Sequence, residues 1–185
     1  MKKLTQILNE TDINKYKTWY HVTNYYQGAN FIAQPKIPLG SRLPREDKHT
    51  PRISVATHWR NAIYMLVVIK RSKIWYVYET HETPIDPVSY REKLIKEKKI
   101  RSNSSLFNSP DAKLGVEAWF LKPTAFKLAG VVDLGQENYL KILLAMGFSD
   151  GGIDYKKLKL KSATQYFKEE AEEKRKQKIL YPDIY

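Results

Sequence analysis

The order in which short strand-like and helix-like segments follow one another most constrains what this chain can fold into. Strands are predicted where β-branched and aromatic residues cluster or alternate with polar ones, over residues 18–23, 52–56, 73–80, 117–121 and 126–134. Helix-like segments lie between some of these strands but not between all of them. Because a doubly wound sheet needs strict alternation of strand and helix, this order predicts an α+β fold instead.

Helices are predicted from apolar spacing and capping residues over 4–16, 58–69, 90–101 and 138–146, with a helical turn over 24–32. Thr57 is the predicted N-cap of the second helix. Loops are predicted over 34–51, which holds four prolines and one glycine, and over the serine-rich stretch 102–116, which we expect to be mobile. A loop as long as the first is typical of a functional segment in a compact domain.

Length and composition suit one folded domain followed by a charged tail. The chain has 185 residues, of which 42% are hydrophobic, and this is enough for a real core. We place a single α+β domain at 1–150 and a basic, charged helical extension at 151–185. Ser162 begins a capping box there, and Glu170 and Lys174 have the favourable i,i+4 spacing. The extension is a solvated helix or, as the alternative, a helix that binds a partner.

The charge of the chain is strongly basic and uneven. The net charge is +12, and residues 1–110 hold 19 lysines and arginines against 9 acidic residues, a net of +10. A basic N-terminal part attracts polyanions, which indicates nucleic acid or an anionic dinucleotide as a partner. Solubility explains the same charge without any partner.

The composition also bears on the compartment. The chain has no cysteine, which excludes disulfides and thiolate metal sites and fits a reducing cytoplasm. The longest apolar run, 62–69, is too short to cross a bilayer, and the first ten residues lack the pattern of a signal peptide. We therefore expect a cytoplasmic protein with no membrane partner.

Several standard sites are missing from the sequence. There is no Walker loop, no GxGxxG, no His-Glu-x-x-His and no GxSxG, and the four histidines are too scattered to predict a metal site. Glu46 and Asp47 form an acidic pair in the long loop. Metal or catalytic use of this pair is one interpretation, and a solvated or capping role is the more ordinary one.

Chemistry-bearing residues appear instead as a spaced set. His21 lies at the end of the first strand, Ser54 on the second, Tyr64 in the next helix, and Glu117 at the start of a late strand. Together they offer hydrogen-bonding groups, an aromatic ring and a carboxylate, which suit a site that binds a nucleotide and stabilises a cationic sugar. Each of them alone has an ordinary structural explanation, such as a buried histidine or a core tyrosine.

This arrangement resembles the ADP-ribosyltransferase fold, especially its His-Tyr-Glu branch, over residues 18–134. His21-Val22-Thr23 matches the early His-x-Thr of that branch, and the strand 52–56 followed by Tyr64 resembles its second strand and tyrosine-bearing helix. The strand that Glu117 opens resembles the strand that carries the catalytic glutamate. The resemblance implies a compact split-sheet domain with short helices, to which this chain adds its charged C-terminal helix.

The sequence departs from that family at two points. Ser54 stands where the His-Tyr-Glu branch has tyrosine. Glu117-Ala-Trp119 lacks the first carboxylate of the Glu-x-Glu that the arginine-specific branch requires.

The resemblance implies a role for each of these residues, with NAD as the substrate and no metal. The catalytic set would be His21, which orients the ribose, Tyr64, which stacks on nicotinamide, and Glu117, which holds the ribose 2′-OH. Glu117 would also favour the oxocarbenium-like transition state as nicotinamide leaves. Trp59 is an alternative to Tyr64 for stacking, and Arg52 or Arg42 would pair with the diphosphate. The implied cofactor-binding residues are Thr23, Arg42, Arg52, Ser54 and Trp59.

A second resemblance concerns origin. The run 46–56, with Tyr20-His21 upstream and Glu-x-Trp-x-Leu-x-Pro downstream, is similar to small proteins of tailed bacteriophages. It implies a phage origin but no activity. Both resemblances together imply a protein that acts in the cytoplasm of an infected bacterial cell, where it modifies or blocks a host factor.

Three hypotheses of function follow. The first is a mono-ADP-ribosyltransferase that uses NAD to modify a host protein or nucleic acid. The second is a catalytically inactive nucleotide- or protein-binding module that inhibits a host factor. The third is a basic nucleic-acid-binding accessory protein, in which Trp19, Tyr20, Tyr25 and Tyr26 stack on bases; core packing explains these aromatic residues equally well.

Overall fold

A computed structural model describes residues 15–38, 46–113, 117–145 and 151–180. Within these ranges the chain forms six strands and five helices. In chain order they are β1 (Trp19–Thr23), β2 (Asn30–Ala33), β3 (Ile53–Val55), α1 (Trp59–Lys70), β4 (Ile74–Thr80), α2 (Pro87–Lys96), α3 (Pro110–Lys113), β5 (Ala118–Phe120), β6 (Thr124–Asp133), α4 (Gly135–Leu144) and α5 (Ala163–Leu180), with a 3₁₀ turn at Tyr155–Lys157.

The strands form a split antiparallel sheet. Four of them lie in the order β1-β4-β6-β2, and β3 pairs with β5 as a separate two-stranded part. The two parts meet at Tyr20 and Ala56, whose backbones exchange hydrogen bonds of 2.9 and 3.0 Å. The expectation of a mixed helix-and-strand domain with a split sheet is therefore confirmed.

Two apolar cores form on the two sides of the four-stranded sheet, because side chains alternate along a strand. The first core packs α1 and α4 on the sheet and consists of Val22, Trp59, Ile63, Val67, Trp75, Val77, Val132, Leu134, Ile142, Ile153 and Leu158. The second core joins the four-stranded sheet to the β3–β5 pair and consists of Trp19, Ala33, Ile53, Val55, Tyr78, Ala118, Phe120 and Phe126.

Helix α1 is amphipathic, as its sequence predicts. Ile63 and Val67 are fully buried at i,i+4 spacing, whereas Tyr64 is exposed on the outer side. Its N-cap is His58 and not the predicted Thr57, since the His58 Nδ1 accepts a hydrogen bond from the Arg60 backbone N–H at 3.1 Å. The His58 backbone is extended, as an N-cap requires, and its ring nitrogen supplies the acceptor.

Four of the local predictions need correction. The predicted turn over 24–32 contains strand β2, which is held by its pairing with β6. The helix predicted over 90–101 begins earlier, because Asp86 caps it and Pro87 occupies its first position, and it ends earlier, at Lys96. The stretch 102–116 contains the short helix α3, and the helix predicted over 138–146 begins at Gly135.

Other predictions in the first half of the chain concern residues that are described only in part. The helix predicted over 4–16 lies almost wholly outside the described residues. The described ends of the 34–51 loop contain no helix and only the isolated bridge between Lys36 and Arg52.

The segment after residue 150 packs on the same sheet. Ile153 and Leu158 are buried in the first core, and the backbones of Val131 and Lys161 exchange two hydrogen bonds of 2.9 Å. Gly130 is required at this contact, because a Cβ there would collide with the Lys161 carbonyl oxygen. In the described part of the chain no helix is both long and apolar enough to cross a bilayer.

Candidate functional site

The β3–β5 pair has an apolar side and a polar side. Ile53 and Val55 point into the second core. Ser54, which lies between them, points to the opposite side, and its partner in the register of β5 is Trp119. The sequence Arg-Ile-Ser-Val therefore places alternate polar residues on one face of a very short strand.

The Glu117 carboxylate lies on this polar face and accepts three hydrogen bonds. The Ser54 hydroxyl donates to Oε1 at 2.5 Å, the Trp119 Nε1–H donates to Oε1 at 2.8 Å, and the Ser109 hydroxyl donates to Oε2 at 2.7 Å. Because a carboxylate offers about four acceptor positions, one position on Oε2 is left for another donor. The Glu117 side chain is 14% exposed, and Ser54 beside it is exposed.

Arg52 lies buried beneath Glu117. Its guanidinium carbon is 4.1 Å from the centre of the Trp119 ring, a cation–π contact. Its Nη2 is 3.4 Å from Glu46 Oε1, and its Nε is 3.9 Å from Glu117 Oε1. The side chain is only 3% exposed, so its charge acts on these two carboxylates rather than on the diphosphate of a ligand, the role that the resemblance implied.

Asp47 joins the two loops that surround the site. It is fully buried, its Oδ1 accepts from the backbone N–H groups of His49 and Thr50, and its Oδ2 accepts from that of Phe107. Burial alone would raise the pKa of Asp47, but the hydrogen bonds from Thr50, His49 and Phe107 hold this pKa below its usual value. The capping interpretation of this residue is therefore right, although the residue is not solvated.

Asp111 on α3 behaves in the opposite way. Burial, together with the negative charges of Glu117 and Glu46, raises the pKa of Asp111 to about 6, and the Arg52 charge offsets this only in part. The site therefore contains one carboxylic acid that exchanges its proton near neutral pH.

His21, on β1, contacts β3 across the split between these two strands. Its Nδ1 is 3.0 Å from the backbone oxygen of Ser54, and its ring centre is 5.5 Å from that of Phe126. This contact lies just past the point where β1 and β3 part, since the described backbone hydrogen bonds between the two strands are those of Tyr20 and Ala56. The imidazole thus binds the Ser54 carbonyl, which would have paired with the β1 backbone if the two strands had stayed together.

The environment of His21 determines its protonation state. Burial lowers the pKa of His21 below its usual value of about 6.5, and the hydrogen bond to Ser54 opposes this only in part. The ring is therefore neutral at pH 7. Because a carbonyl oxygen accepts, Nδ1 carries the hydrogen and Nε2 is left as an acceptor.

The structure brings His21, Ser54, Arg52 and Glu117 together but gives the other predicted residues different contacts. Thr23 is buried, and its hydroxyl donates to the Tyr25 carbonyl. Trp59 is buried in the first core, with the Arg60 guanidinium 4.2 Å above its ring. Tyr64 is exposed and packs edge-on against Tyr155. Arg42 lies outside the described residues.

Four residues of the site were not predicted as site residues, namely Asp111, Ser109, Asp47 and Trp119. Ser109 has no distinguishing sequence pattern, because it lies in a serine-rich loop. Asp47 was considered only as one half of an acidic pair. Trp119 carries the clearest signal, since its i,i+2 spacing from Glu117 places both on one face of a strand. Among the described residues no group of three or more histidine, aspartate or glutamate side chains is arranged to hold a metal ion.

The comparisons with other proteins leave the site to be interpreted from its own geometry. No protein-family model, no curated protein and no solved structure matches this chain.

Proposed function

We propose that the chain is an ADP-ribosyltransferase-like protein that takes NAD as substrate at the split between β1 and β3. The acceptor would be a host protein or nucleic acid, in the cytoplasm of an infected bacterium if the phage resemblance holds. One observation carries this proposal. Ser54 contacts both His21, through its backbone oxygen, and Glu117, through its hydroxyl.

This contact supports the proposal because it joins residues that are remote in sequence. Ser54 lies 33 residues from His21 and 63 residues from Glu117. Only the fold makes them neighbours, and they meet where a sheet opens, which is a place where ligands can approach backbone and side chains together. His21 approaches Ser54 from the side of β1, and Glu117 approaches it from the side of β5.

In this proposal His21 orients the ribose. Its neutral ring donates from Nδ1 to the Ser54 carbonyl, which fixes the plane of the imidazole. The Nε2 that remains accepts a hydrogen bond from a ribose hydroxyl. A neutral ring is needed for this, since a protonated imidazole has no acceptor.

Glu117 carries the chemical step. Its free acceptor position on Oε2 takes the ribose 2′-OH, and its negative charge lies beside the sugar when the bond between C1′ and the nicotinamide nitrogen breaks. Nicotinamide leaves with the electron pair of that bond, and the positive charge develops on the sugar. The acceptor then forms a bond to C1′ and releases its proton to solvent. The three donors on Glu117 hold the carboxylate in place beforehand, and such preorganisation lowers the barrier.

The proposal is tested by nicotinamide release from NAD with cell lysate as the source of acceptor. Glu117→Gln keeps the shape of the side chain but removes its charge, and we expect release to fall by about a hundredfold or more. Glu137→Gln on α4 is the matched control, because this glutamate is 83% exposed and its ion pair among the described residues is with Lys141. Ser54→Ala should lower release by about tenfold, since it removes one donor.

Equal release by the wild type and Glu117→Gln would contradict the proposal, provided that both melt cooperatively. If the folded wild type released no nicotinamide with any fraction of the cell lysate, the proposal would be contradicted as well.

A second candidate function is a binding module without chemistry. It is favoured by the number of partners that Glu117 already has, because three donors and the Arg52 charge are also what a structural carboxylate needs. This candidate predicts that NAD binds the wild type and Glu117→Gln equally well, with no nicotinamide released by either.

A further inference from the structure

The end of α2 forms a compact basic corner, which we define as Lys96, Lys98, Lys99 and Arg101. All four side chains are exposed. Helix α2 ends at Lys96, and Lys98 adopts a left-handed backbone with φ of 57°. The chain then folds back, with the Lys98 N–H bonded to the Ile95 carbonyl and the Lys99 N–H to the Leu94 carbonyl, each at 2.9 Å. The turn therefore gathers the four cations on one corner of the surface.

The positive charge of the corner is only partly balanced. Glu97 pairs with Lys99 at 2.8 Å and with Lys93 at 4.0 Å, so one carboxylate serves two ammonium groups. Among the described residues no carboxylate lies within 4.0 Å of Lys96, Lys98 or Arg101. A corner with several unbalanced cations attracts a polyanion.

The corner is linked to the candidate site by an ordered loop. The Arg91 Nη2 donates to the carbonyls of Ser102 and Ser104 at 2.6 and 2.8 Å, which fixes the first half of the loop. Its second half is fixed by the bond from the Phe107 N–H to Asp47 at 2.8 Å. The loop ends at Ser109, whose hydroxyl contacts Glu117.

The length of that loop bounds the distance between the corner and the site. The eight residue steps from Arg101 to Ser109 span at most about 29 Å when fully extended. The span is shorter here, because two turns fold the loop, with the Ser104 N–H on the Arg101 carbonyl and the Asn108 N–H on the Ser105 carbonyl. A strand of nucleic acid only a few nucleotides long covers this distance.

We propose that the basic corner docks the phosphate backbone of a nucleic acid and presents it to the Glu117 site. The proposal rests on the proposed function only for the second part, the presentation of an acceptor. Phosphates are held by lysine, arginine, serine and asparagine, and exposed Ser102 and Asn103 adjoin the corner. An acidic protein partner is disfavoured because residues 87–113 contain no strongly exposed large apolar side chain, whereas protein interfaces have an apolar centre.

The test is the binding of a fluorescein-labelled single-stranded DNA of about 20 nucleotides, measured by anisotropy without NAD over a series of salt concentrations. The corner variant is Lys96→Glu, Lys98→Glu and Arg101→Glu together. Its matched control carries the same charge change on α5, as Lys176→Glu, Lys178→Glu and Arg175→Glu. Thermal melts of both variants establish that they are folded.

We expect the wild type to bind more weakly as the salt concentration rises. The corner variant should lose about tenfold or more in affinity, and the slope of its log Kd against log salt should fall by about three. The control variant should lose less than about threefold in affinity. Equal losses in both variants would overturn the proposal, since net charge alone would then explain binding. Competition by poly-glutamate as effective as that by unlabelled DNA would overturn it in favour of an acidic protein. Nicotinamide release to water by the corner variant should equal that of the wild type, so failure of docking and failure of the NAD chemistry are measured separately.

Discussion

The two parts of the split sheet are stabilised in different ways. The four-stranded part has long paired strands, and side chains such as Trp75 and Val77 are buried on it in an apolar cluster. The β3–β5 pair has three residues in each strand, and one of its faces is covered by a charged and hydrogen-bonded cluster around Arg52 and Glu117. The large part thus supplies an extensive apolar core, whereas the small part holds polar and charged groups in fixed positions.

The largest effect is expected in the four-stranded part. Trp75 is fully buried, and its Nε1–H donates to the Ser72 carbonyl at 2.9 Å. Trp75→Ala should lower the free energy of unfolding by about 3–5 kcal/mol, because it removes a large apolar surface and leaves a cavity. Urea titration followed by circular dichroism measures this. Trp75→Phe should cost clearly less, and an equal cost for both would show that the volume of the ring is not what matters.

The next effect concerns the small part and its buried charge. Arg52→Met should lower the free energy of unfolding by about 2–4 kcal/mol, since it removes the buried cation that lies beside the Glu117 carboxylate. Adding Glu117→Gln to this variant should restore about 1 kcal/mol, because the Glu117 charge that Arg52 faced is then gone as well. A double variant less stable than Arg52→Met alone would mean that the two groups are not coupled as the distances indicate.

The cluster should also give the protein a measurable pH dependence. The folded pKa of Asp111, about 6, is above the value of about 3.9 in the unfolded chain. The folded state therefore binds the proton more tightly, and stability falls as the pH rises from about 4 to about 6. Asp111→Asn should remove this fall and raise the free energy of unfolding at pH 7 by about 1–2 kcal/mol, after allowance for partial exposure to solvent. Urea titrations at several pH values test it.

Asp47 provides the contrast within the same cluster, because its pKa is lowered in the folded state. Its stabilisation is present above about pH 4 and is lost as the pH falls through the folded pKa. Asp47→Asn should therefore destabilise at pH 7, where Asp111→Asn stabilises. The same sign for both variants would mean that the two carboxyl groups do not differ in environment as described.

The smallest effect is expected on the solvated face of α5. Lys174 pairs with Glu170 at 3.0 Å, and both side chains are well exposed. Lys174→Ala should change the free energy of unfolding by less than about 0.5 kcal/mol, because solvent screens such pairs. A loss above about 1 kcal/mol in a thermal melt would show that α5 contributes to stability through this pair.

The same contrast explains which parts of the structure the sequence could predict. Strands β1, β3 and β4 were predicted because their residues are β-branched and aromatic, so local preference and tertiary pairing agree. Strand β2 was missed because Asn30 and Ala33 have little preference for strands, and only pairing with β6 makes them extended.

In the candidate site, too, the contacts that follow from local spacing could be predicted, and those that depend on the tertiary fold could not. Glu117 directly precedes β5 and Trp119 lies within it, so their common face follows from the i,i+2 spacing in extended backbone. The contact between Ser54 and Glu117 spans 63 residues, and the role of Ser109 depends on a loop whose path is fixed by Asp47. Neither could be predicted, because they result from the way the chain folds back and not from any local pattern.

The most direct test of the account is the NMR spectrum of the histidine rings during a titration with NAD. His21 should appear at pH 7 as a neutral ring with its hydrogen on Nδ1, and its Nε2 signal should shift in a saturable way as NAD is added. The rings of His49, His58 and His81 are internal controls, and the His21→Gln variant identifies the signal. A His21 signal that does not move at NAD concentrations that saturate any other probe would contradict the claim that the split between β1 and β3 is the NAD site.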